Sequence, residues 1–454
     1  MSFSVVILAA GQGTRMRSAC AKVLHPVADR SMLAHVITAA TALHPQETVV
    51  VVHPSFDSTA FSSPTPIQWA HQSERLGTGH ALLQAMPFLS ESTDRVLLLC
   101  GDVPLIQTST LRALLNTTPD SLAFITNIAE KPKGLGRVVR DAQHQVVVRI
   151  VEEKDATERE KSITEVNAGI YVFPRAKLQA WLTRLAPNNA QNEFYLTDVI
   201  AFALEEGVLV ETVQASKDEV LGVNDRMQLQ EAERLYQRRA IEALCAKGVS
   251  VKDINRLDIR GNVHIAQDVV LDINVILEGD VEIGEACYIG AGAIIKNSRL
   301  GKGVKVNPYS VIDGAVIQDA CEIGPFARIR LGSVLEHQVK VGNFVEVKHS
   351  NLNTGTKANH LAYLGDAEIG ANVNVGAGAI TCNYDGAKKH QTIIGDGAFI
   401  GSNVELVAPV RVGKNATIGA GTTLTRDVPE GSLTVRRATQ KTVLDWQKPK
   451  KDEE

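Results

Sequence analysis

Over the first 225 residues, short apolar runs alternate with stretches whose apolar positions recur at helical spacing. The runs at 4–10 (SVVILAA), 47–53 (ETVVVVH), 95–100 (RVLLLC), 122–128 (LAFITNI) and 168–173 (AGIYVF) have strand length and are apolar on both faces. Segments 31–43 and 80–89 read as helices, the first with Ser31 as its N-cap. Doubly apolar strands alternating with helices predict an α/β domain with a mostly parallel, covered sheet. Ligands bind such sheets outside the carboxyl ends of the strands, so the loops after Ala10 and Cys100 are where a site is expected.

A helical pattern fills 226–248, with Leu229, Ala232, Tyr236, Ala240 and Ala243 near one face and Gly248 as a stop. Beyond it a six-residue period takes over. Aliphatic pairs recur as Val263/Ile265 to Ala293/Ile295, as Cys321/Ile323 to Val345/Val347, and as Thr392/Ile394 to Thr422/Leu424. One short strand and one corner per repeat, three to a coil, predict a left-handed parallel β-helix of roughly nine or ten coils. Between Ala379/Thr381 and Thr392 the spacing is 13 where the period asks for 12, which predicts an extruded loop over CNYDGAKKHQ. The expected organisation is an α/β domain at 1–225, a linker helix at 226–248 and a β-helix domain at 249–454, ending in a charged tail (447–454) too polar to fold.

Composition narrows the function classes. The 454 residues carry 47 basic and 51 acidic side chains, a net charge of −4, which argues against coating nucleic acid or an anionic membrane. Six scattered cysteines without metal-ligand spacing read as reduced thiols of a cytoplasmic protein. The first apolar run is too short to span a bilayer.

The first strand runs into Leu8-Ala9-Ala10-Gly11-Gln12-Gly13-Thr14-Arg15-Met16, followed by Ala21-Lys22-Val23-Leu24. Small residues let backbone N–H groups approach phosphate oxygens, and Arg15 and Lys22 add positive charge. The pattern is neither a dinucleotide fingerprint nor a P-loop. It resembles the sugar-nucleotide pyrophosphorylases, as do Gln72-x4-Gly77-Thr78-Gly79-His80 and Leu99-Cys100-Gly101-Asp102-Val103-Pro104-Leu105. That resemblance implies a Rossmann-like nucleotide-binding fold in which Leu8, Ala9, Ala10, Gly11, Arg15, Lys22, Gln72, Gly77, Thr78, Cys100 and Gly101 bind the nucleotide. It further implies sugar and ribose contacts from Gly136, Glu152 and Asn167, and Mg²⁺ ligands in Asp102 and Asn224. Taken singly, Asp102 reads more readily as a helix cap and Glu152 as a surface acid than as site residues; their joint order carries the inference. Many relatives have tyrosine where this chain has Cys100.

In the repeat region Arg330, Lys348, His360, Tyr363 and Asn374 break the apolar pattern within a short span. With them, the chain from its first strand to about Arg437 resembles the bifunctional N-acetylglucosamine-1-phosphate uridylyltransferase/glucosamine-1-phosphate N-acetyltransferases. The resemblance implies that His360 is a general base for acetyl transfer. Arg330 and Lys348 would hold a sugar phosphate, Tyr363 and Asn374 would orient the sugar, and Ala377, Asn383, Tyr384, Ser402, Ala420 and Arg437 would bind acetyl-CoA. The implied substrates are glucosamine 1-phosphate, N-acetylglucosamine 1-phosphate, UTP and acetyl-CoA. The implied product is UDP-N-acetylglucosamine, a precursor of peptidoglycan and lipopolysaccharide, and the implied assembly is a homotrimer. Relatives commonly have proline where this chain has Leu331. Two rivals remain at this level: a monofunctional nucleotidyltransferase of the ADP-glucose pyrophosphorylase type, and an inactive trimeric scaffold. The first leaves the cluster around His360 unexplained, the second leaves Arg15, Lys22, Asp102 and Asn224 so.

Overall fold

A computed structural model describes residues 2–59, 61–63, 65–141, 143–436 and 439–448; Arg437 and residues 449–454 of the charged tail lie outside the described residues. Two compact units meet at Tyr236/Gln237, inside the helix Arg226–Cys245.

The first unit is a twisted sheet in the order Val210–Gln214, Leu122–Ile128, Glu165–Pro174, Arg95–Cys100, Phe3–Leu8, Thr48–Val52, Gln68–His71. Neighbours run parallel except around Glu165–Pro174, which is antiparallel to both strands beside it. All five residues of Thr48–Val52 are buried, the mark of a central strand covered on two faces. Ser31 caps Met32–Thr41 by accepting from the Ala34 N–H at 3.2 Å. The second expected helix begins earlier than its apolar run, at Thr78, and gives way to a 3₁₀ turn at Met86–Phe88. Pro87 explains that change, since it has no N–H to continue the helical ladder.

The second unit is a left-handed parallel β-helix. One face has eleven rungs, from Ser250–Val251 to Leu433–Thr434, and two further faces alternate within a 17-stranded sheet. The solenoid starts earlier than the period suggested, and several coils are one residue short: Leu257 pairs with Val275, 18 residues on, but Ile294 with Val311, 17 on. Buried hydroxyls satisfy the tightened corners. Ser298, Ser310, Ser350 and Thr356 each accept from the backbone N–H 17 residues later. The aliphatic pairs of the repeat line one continuous core. The extruded loop is larger than expected. Ile380 pairs with Glu405, 25 residues on, whereas Glu405 pairs with Thr423 at 18, so Thr392 opens the very next side and not the one after.

The helix Arg226–Cys245 contributes to both cores, Leu229, Ala232, Leu235 and Tyr236 to the first unit and Ala240, Ile241 and Leu244 to the second. Ala243, expected on its apolar face, is exposed.

Candidate active sites

In the first unit Leu8 and Cys100 end in register, and the Gly101 N–H donates to Leu8 O at 2.9 Å, so two loops leave the sheet side by side. They open on a cavity of about 340 Å³ lined by Leu8, Ala9, Ala10, Gly11, Lys22, Gln72, Gly77, Thr78, Cys100 and Asp102, all expected there. Gly101 supports it from behind; a Cβ there would press on Leu8 O, Ala9 and Val23 at 3.2–3.3 Å. Gly77 has φ +105°, and a Cβ would lie 2.7 Å from Phe194 O. Only glycine lets this turn sit against the 193–196 segment, where Thr78 Oγ1 accepts from Leu196 N–H at 3.2 Å. Arg75 and Glu193 also line the cavity and were not foreseen. Arg75 Nε donates to Ala10 O at 3.0 Å and so bridges two of its walls. Arg15 sits exposed in the 3₁₀ turn Thr14–Met16 and does not line the cavity.

Lys22 Nζ donates both to Asp102 Oδ2 and, at 3.2 Å, to Asn224 Oδ1. Gly13 permits that approach, since a Cβ on it would meet Lys22 Cβ at 2.7 Å. The Val223 N–H donates to Asp102 O at 2.9 Å and brings Asn224 alongside. An ammonium between two oxygens of separate segments is a stand-in for a hard cation, and the pair fits Mg²⁺ that takes its other ligands from phosphate and water.

Gly136, Glu152 and Asn167 form a neighbouring cluster, joined to the cavity through Cys100. The Cys100 thiol donates to Gly169 O at 3.3 Å, Asn167 Oδ1 accepts from Gly169 N–H at 2.9 Å, and Asn167 N–H donates to Gly136 O at 2.9 Å. Glu152 lies within 3.4 Å of where a Gly136 Cβ would stand. Burial pushes the Glu152 carboxyl above its ordinary range, opposed by the Thr197 hydroxyl and reinforced by Asp155, Asp198 and Glu193. Burial, with Asp102 adding to it, pushes the Cys100 thiol up to about 12, which makes it a hydrogen-bond donor and not a nucleophile.

In the second unit His360 is exposed at a corner of the solenoid, outside the aliphatic core. Its Nδ1 lies 3.0 Å from Asn343 Oδ1, one coil away and in register. A neutral imidazole whose Nδ1 donates to that oxygen keeps its lone pair on Nε2, the form a base needs. The same corner continues through Ala377, Ser402 and Ala420, whose small side chains leave the column open. Arg330 pairs with Glu346 at 2.7 Å, and Glu346 is in register with Tyr363. Lys348 is in register with Gly365, which has no side chain to cover the Tyr363 hydroxyl. Asn383 leans on the same glycine and donates to Asp366. Asn374 follows Lys357 on the His360 face, and Tyr384 is exposed on the extruded loop. Leu331 replaces the proline without opening its corner, since Gly332 N–H still donates to Gly314 O at 3.0 Å. Asn343, Glu346 and Asp366 were missed by motif reading; the coil period marks the first as the residue above His360.

A MobA-like NTP transferase domain is matched over residues 5–169, a GMPPB C-terminal domain over 259–353, and six bacterial transferase hexapeptide repeats over 391–426. "Bifunctional protein GlmU" of Methylococcus capsulatus is 50% identical over 99% of the chain and 98% of its own length. Those of Stutzerimonas stutzeri and Aromatoleum aromaticum are 50% and 52% identical, over 99% and 98% of the chain and 100% and 98% of their own lengths. The chain belongs to the bifunctional GlmU family. Among the described residues no helix is long and apolar enough to cross a membrane.

Proposed function

We propose that the two reactions of this bifunctional enzyme of UDP-N-acetylglucosamine biosynthesis run in separate pockets, uridylyl transfer in the first unit and acetyl transfer in the second. In the first, a phosphate oxygen of N-acetylglucosamine 1-phosphate attacks the α-phosphorus of UTP in line and pyrophosphate leaves. Lys22 spreads the charge that develops on the phosphates, and Arg15, exposed outside the cavity lining, joins it once the triphosphate is bound. Asp102 and Asn224 hold Mg²⁺, which when bound supplies further charge neutralisation. Gly136, Glu152 and Asn167 hold the sugar and ribose. The convergence of Asp102 and Asn224 on the Lys22 ammonium, beside the cavity that Lys22 and Asp102 line, carries this half.

In the second pocket Arg330 and Lys348 hold the phosphate of glucosamine 1-phosphate, and Tyr363 and Asn374 orient its ring. His360 Nε2 takes a proton from the 2-amino nitrogen as that nitrogen attacks the thioester carbonyl, and the coenzyme A thiolate leaves. The open column Ala377, Ser402, Ala420 takes acetyl-CoA together with Asn383 and Tyr384, which stand on another corner of the solenoid. The exposed His360, held through Nδ1 by Asn343 at the head of that column, carries this half.

A homotrimer completes the second pocket. One column of corners, all at positive φ, reads Asn274, Gly292, Tyr309, Phe326, Phe344, Leu361, Gly378, Asn403, Gly421. The outer members are residues for which that backbone is cheap; the middle four are bulky, and each costs about 1 kcal/mol or more there. Tyr309, Phe326 and Phe344 stack at 5.4 Å, and all four side chains are roughly half exposed or more, next to the Asn343–His360 pair. Strain spent on an exposed apolar ladder is explained by a surface that packs on other copies of the chain. Six free thiols suit a cytoplasmic enzyme.

Two assays on one preparation test the scheme: pyrophosphate from UTP plus N-acetylglucosamine 1-phosphate, and free thiol from acetyl-CoA plus glucosamine 1-phosphate. Chelating divalent cations should stop the first and spare the second. Equal loss of both would mean that the metal sits elsewhere.

A further inference from the structure

The wall of the first cavity holds a hydrogen-bond relay that the scheme above does not use. Gln72 is only 4% exposed. Its Nε2 lies 3.1 Å from Gly77 O and 3.1 Å from His80 Nδ1. Gly77 O has only lone pairs, so the carboxamide must present nitrogen to it and cannot be turned over. Both hydrogens of Nε2 are then committed, one to Gly77 O and one to His80 Nδ1. That makes His80 Nδ1 an acceptor and puts the imidazole proton on Nε2; the Gln84 carboxamide, whose nitrogen stands 3.2 Å from that Nε2 and 3.4 Å from His80 O, meets the proton when turned over, oxygen toward the ring, at the loss of the longer contact to His80 O. His80 is the N-terminal-turn residue of the helix Thr78–Ala85, and its ring lies beside Phe194 with centroids 6.3 Å apart. The Oε1 of Gln72 has no protein partner among the described residues and is not one of the sealed orphan atoms of the chain. Gln72 lines the cavity, so this acceptor opens on it.

We propose that His80 is a positioning residue that locks Gln72 with its oxygen toward the cavity, and that this lock selects a nucleobase bearing an N–H at ring position 3, uracil, over cytosine. Ring N3 carries a hydrogen in uracil and a lone pair in cytosine. An oxygen held at Gln72 pairs with the first and faces the second lone pair to lone pair. A carboxamide free to rotate would offer oxygen to one base and nitrogen to the other at little cost. Discrimination therefore lives in what prevents rotation, and His80 supplies half of that restraint. Sites built around a fixed buried polar group discriminate far more strongly than apolar pockets do, because the wrong partner leaves that group unmet. The inference rests on reading this cavity as the nucleotide site.

The test compares kcat/KM for UTP and for CTP in the full-length protein, with thiol release from acetyl-CoA measured on the same preparations as a check of folding. His80→Phe keeps a ring beside Phe194 but has no acceptor; His80→Asn offers an oxygen near the place of Nδ1. The phenylalanine variant is expected to lose about tenfold or more of the UTP-over-CTP preference, through KM for UTP more than through kcat, and the asparagine variant to regain most of it. If phenylalanine prevents folding, His80→Leu carries the same expectation. A wild-type ratio in the variant without an acceptor, or an equal loss on both nucleotides that asparagine fails to rescue, overturns the role of His80. Gln72→Leu separates the two levels: if it leaves the ratio unchanged, the base does not sit at Gln72 and the reading of the cavity falls with it.

Discussion

Asp102 and His360 each sit at the centre of one constellation and outside the other, which makes them the residues on which separation of the activities is best tested. Asp102 binds Lys22 through its carboxylate, while only its backbone oxygen holds Val223, so Asp102→Ala removes the charge and leaves the loop tied. Uridylyl transfer should fall about a hundredfold or more while thiol release stays within about twofold. His360→Ala should do the reverse, with a loss of about a hundred- to ten-thousandfold in acetyl transfer. A substitution that silenced both reactions in a folded protein would sink the two-pocket scheme. Glu152 makes a different point. Its carboxyl is raised in the folded state, so the native protein holds its proton more tightly than the unfolded chain does. Stability from this group is therefore greatest below the ordinary carboxylate range and declines as pH rises through the raised value. Glu152→Gln removes that cost. Its melting temperature at neutral pH should exceed the wild type by about 2 °C or more, with the gap closing toward about pH 4, while KM for the sugar phosphate rises. A variant less stable at every pH would show that the carboxylate is not paying for its burial. Motifs made Asp102, Lys22 and Gln72 legible in the sequence because the chemistry needs those residue types at fixed spacing. Arg75 and Glu193 were not legible, since they reach the cavity from turns with no spacing signal of their own.

At the scale of elements, the six-residue period revealed the solenoid before any contact was known, because each inward position must be small or aliphatic in every coil. What the period could not give was the size of the extruded loop, since a polar insertion carries no register. The structure shows why that insertion is ordered. Tyr384 and Lys389 form a bridge, and the Asp385 carboxylate accepts from the Lys388 and Ala387 N–H groups and meets His390 at 2.7 Å. The Lys388 N–H, then His390, then the Ala387 N–H hold the Asp385 carboxyl far below its ordinary range. A depressed carboxyl contributes order that is present above its unfolded value and lost only as pH falls through the folded one. The loop should therefore keep its shape throughout about pH 5–8, which trypsin cleavage after Lys388 and Lys389 can follow. Asp385→Asn should speed that cleavage and raise KM for acetyl-CoA, leaving uridylyl transfer alone. Unchanged cleavage would mean that the backbone bridge holds the loop without the carboxylate.

At the scale of the whole molecule, the question is why four coils in the middle of the solenoid put bulky apolar residues at this corner when the coils above and below put Asn or Gly there. Burial of the ladder in an assembly would offset the strain: full burial of an aromatic ring is worth about 1.5–3 kcal/mol, and these rings, half exposed, have roughly half of that still to gain, about what the backbone conformation costs. Two of those four corners, Phe344 and Leu361, adjoin Asn343 and His360, so the ladder and the proposed acetyl-transfer site share one edge of the solenoid. Placing charge in the ladder, as Phe326→Lys with Phe344→Lys, should leave the solenoid folded, because both side chains already lie outside its core. Lysine at positive φ adds no strain that phenylalanine lacks. Sedimentation should then report a species near the single-chain mass of 49.0 kDa in place of a trimer, thiol release should collapse, and pyrophosphate release should persist at close to the wild-type rate. Coupled loss of mass and of one activity alone is an outcome that neither misfolding nor a pocket contained in one copy produces. If the doubly charged protein still sediments as a trimer, the ladder faces solvent in the assembly, and the strain in those corners needs another cause.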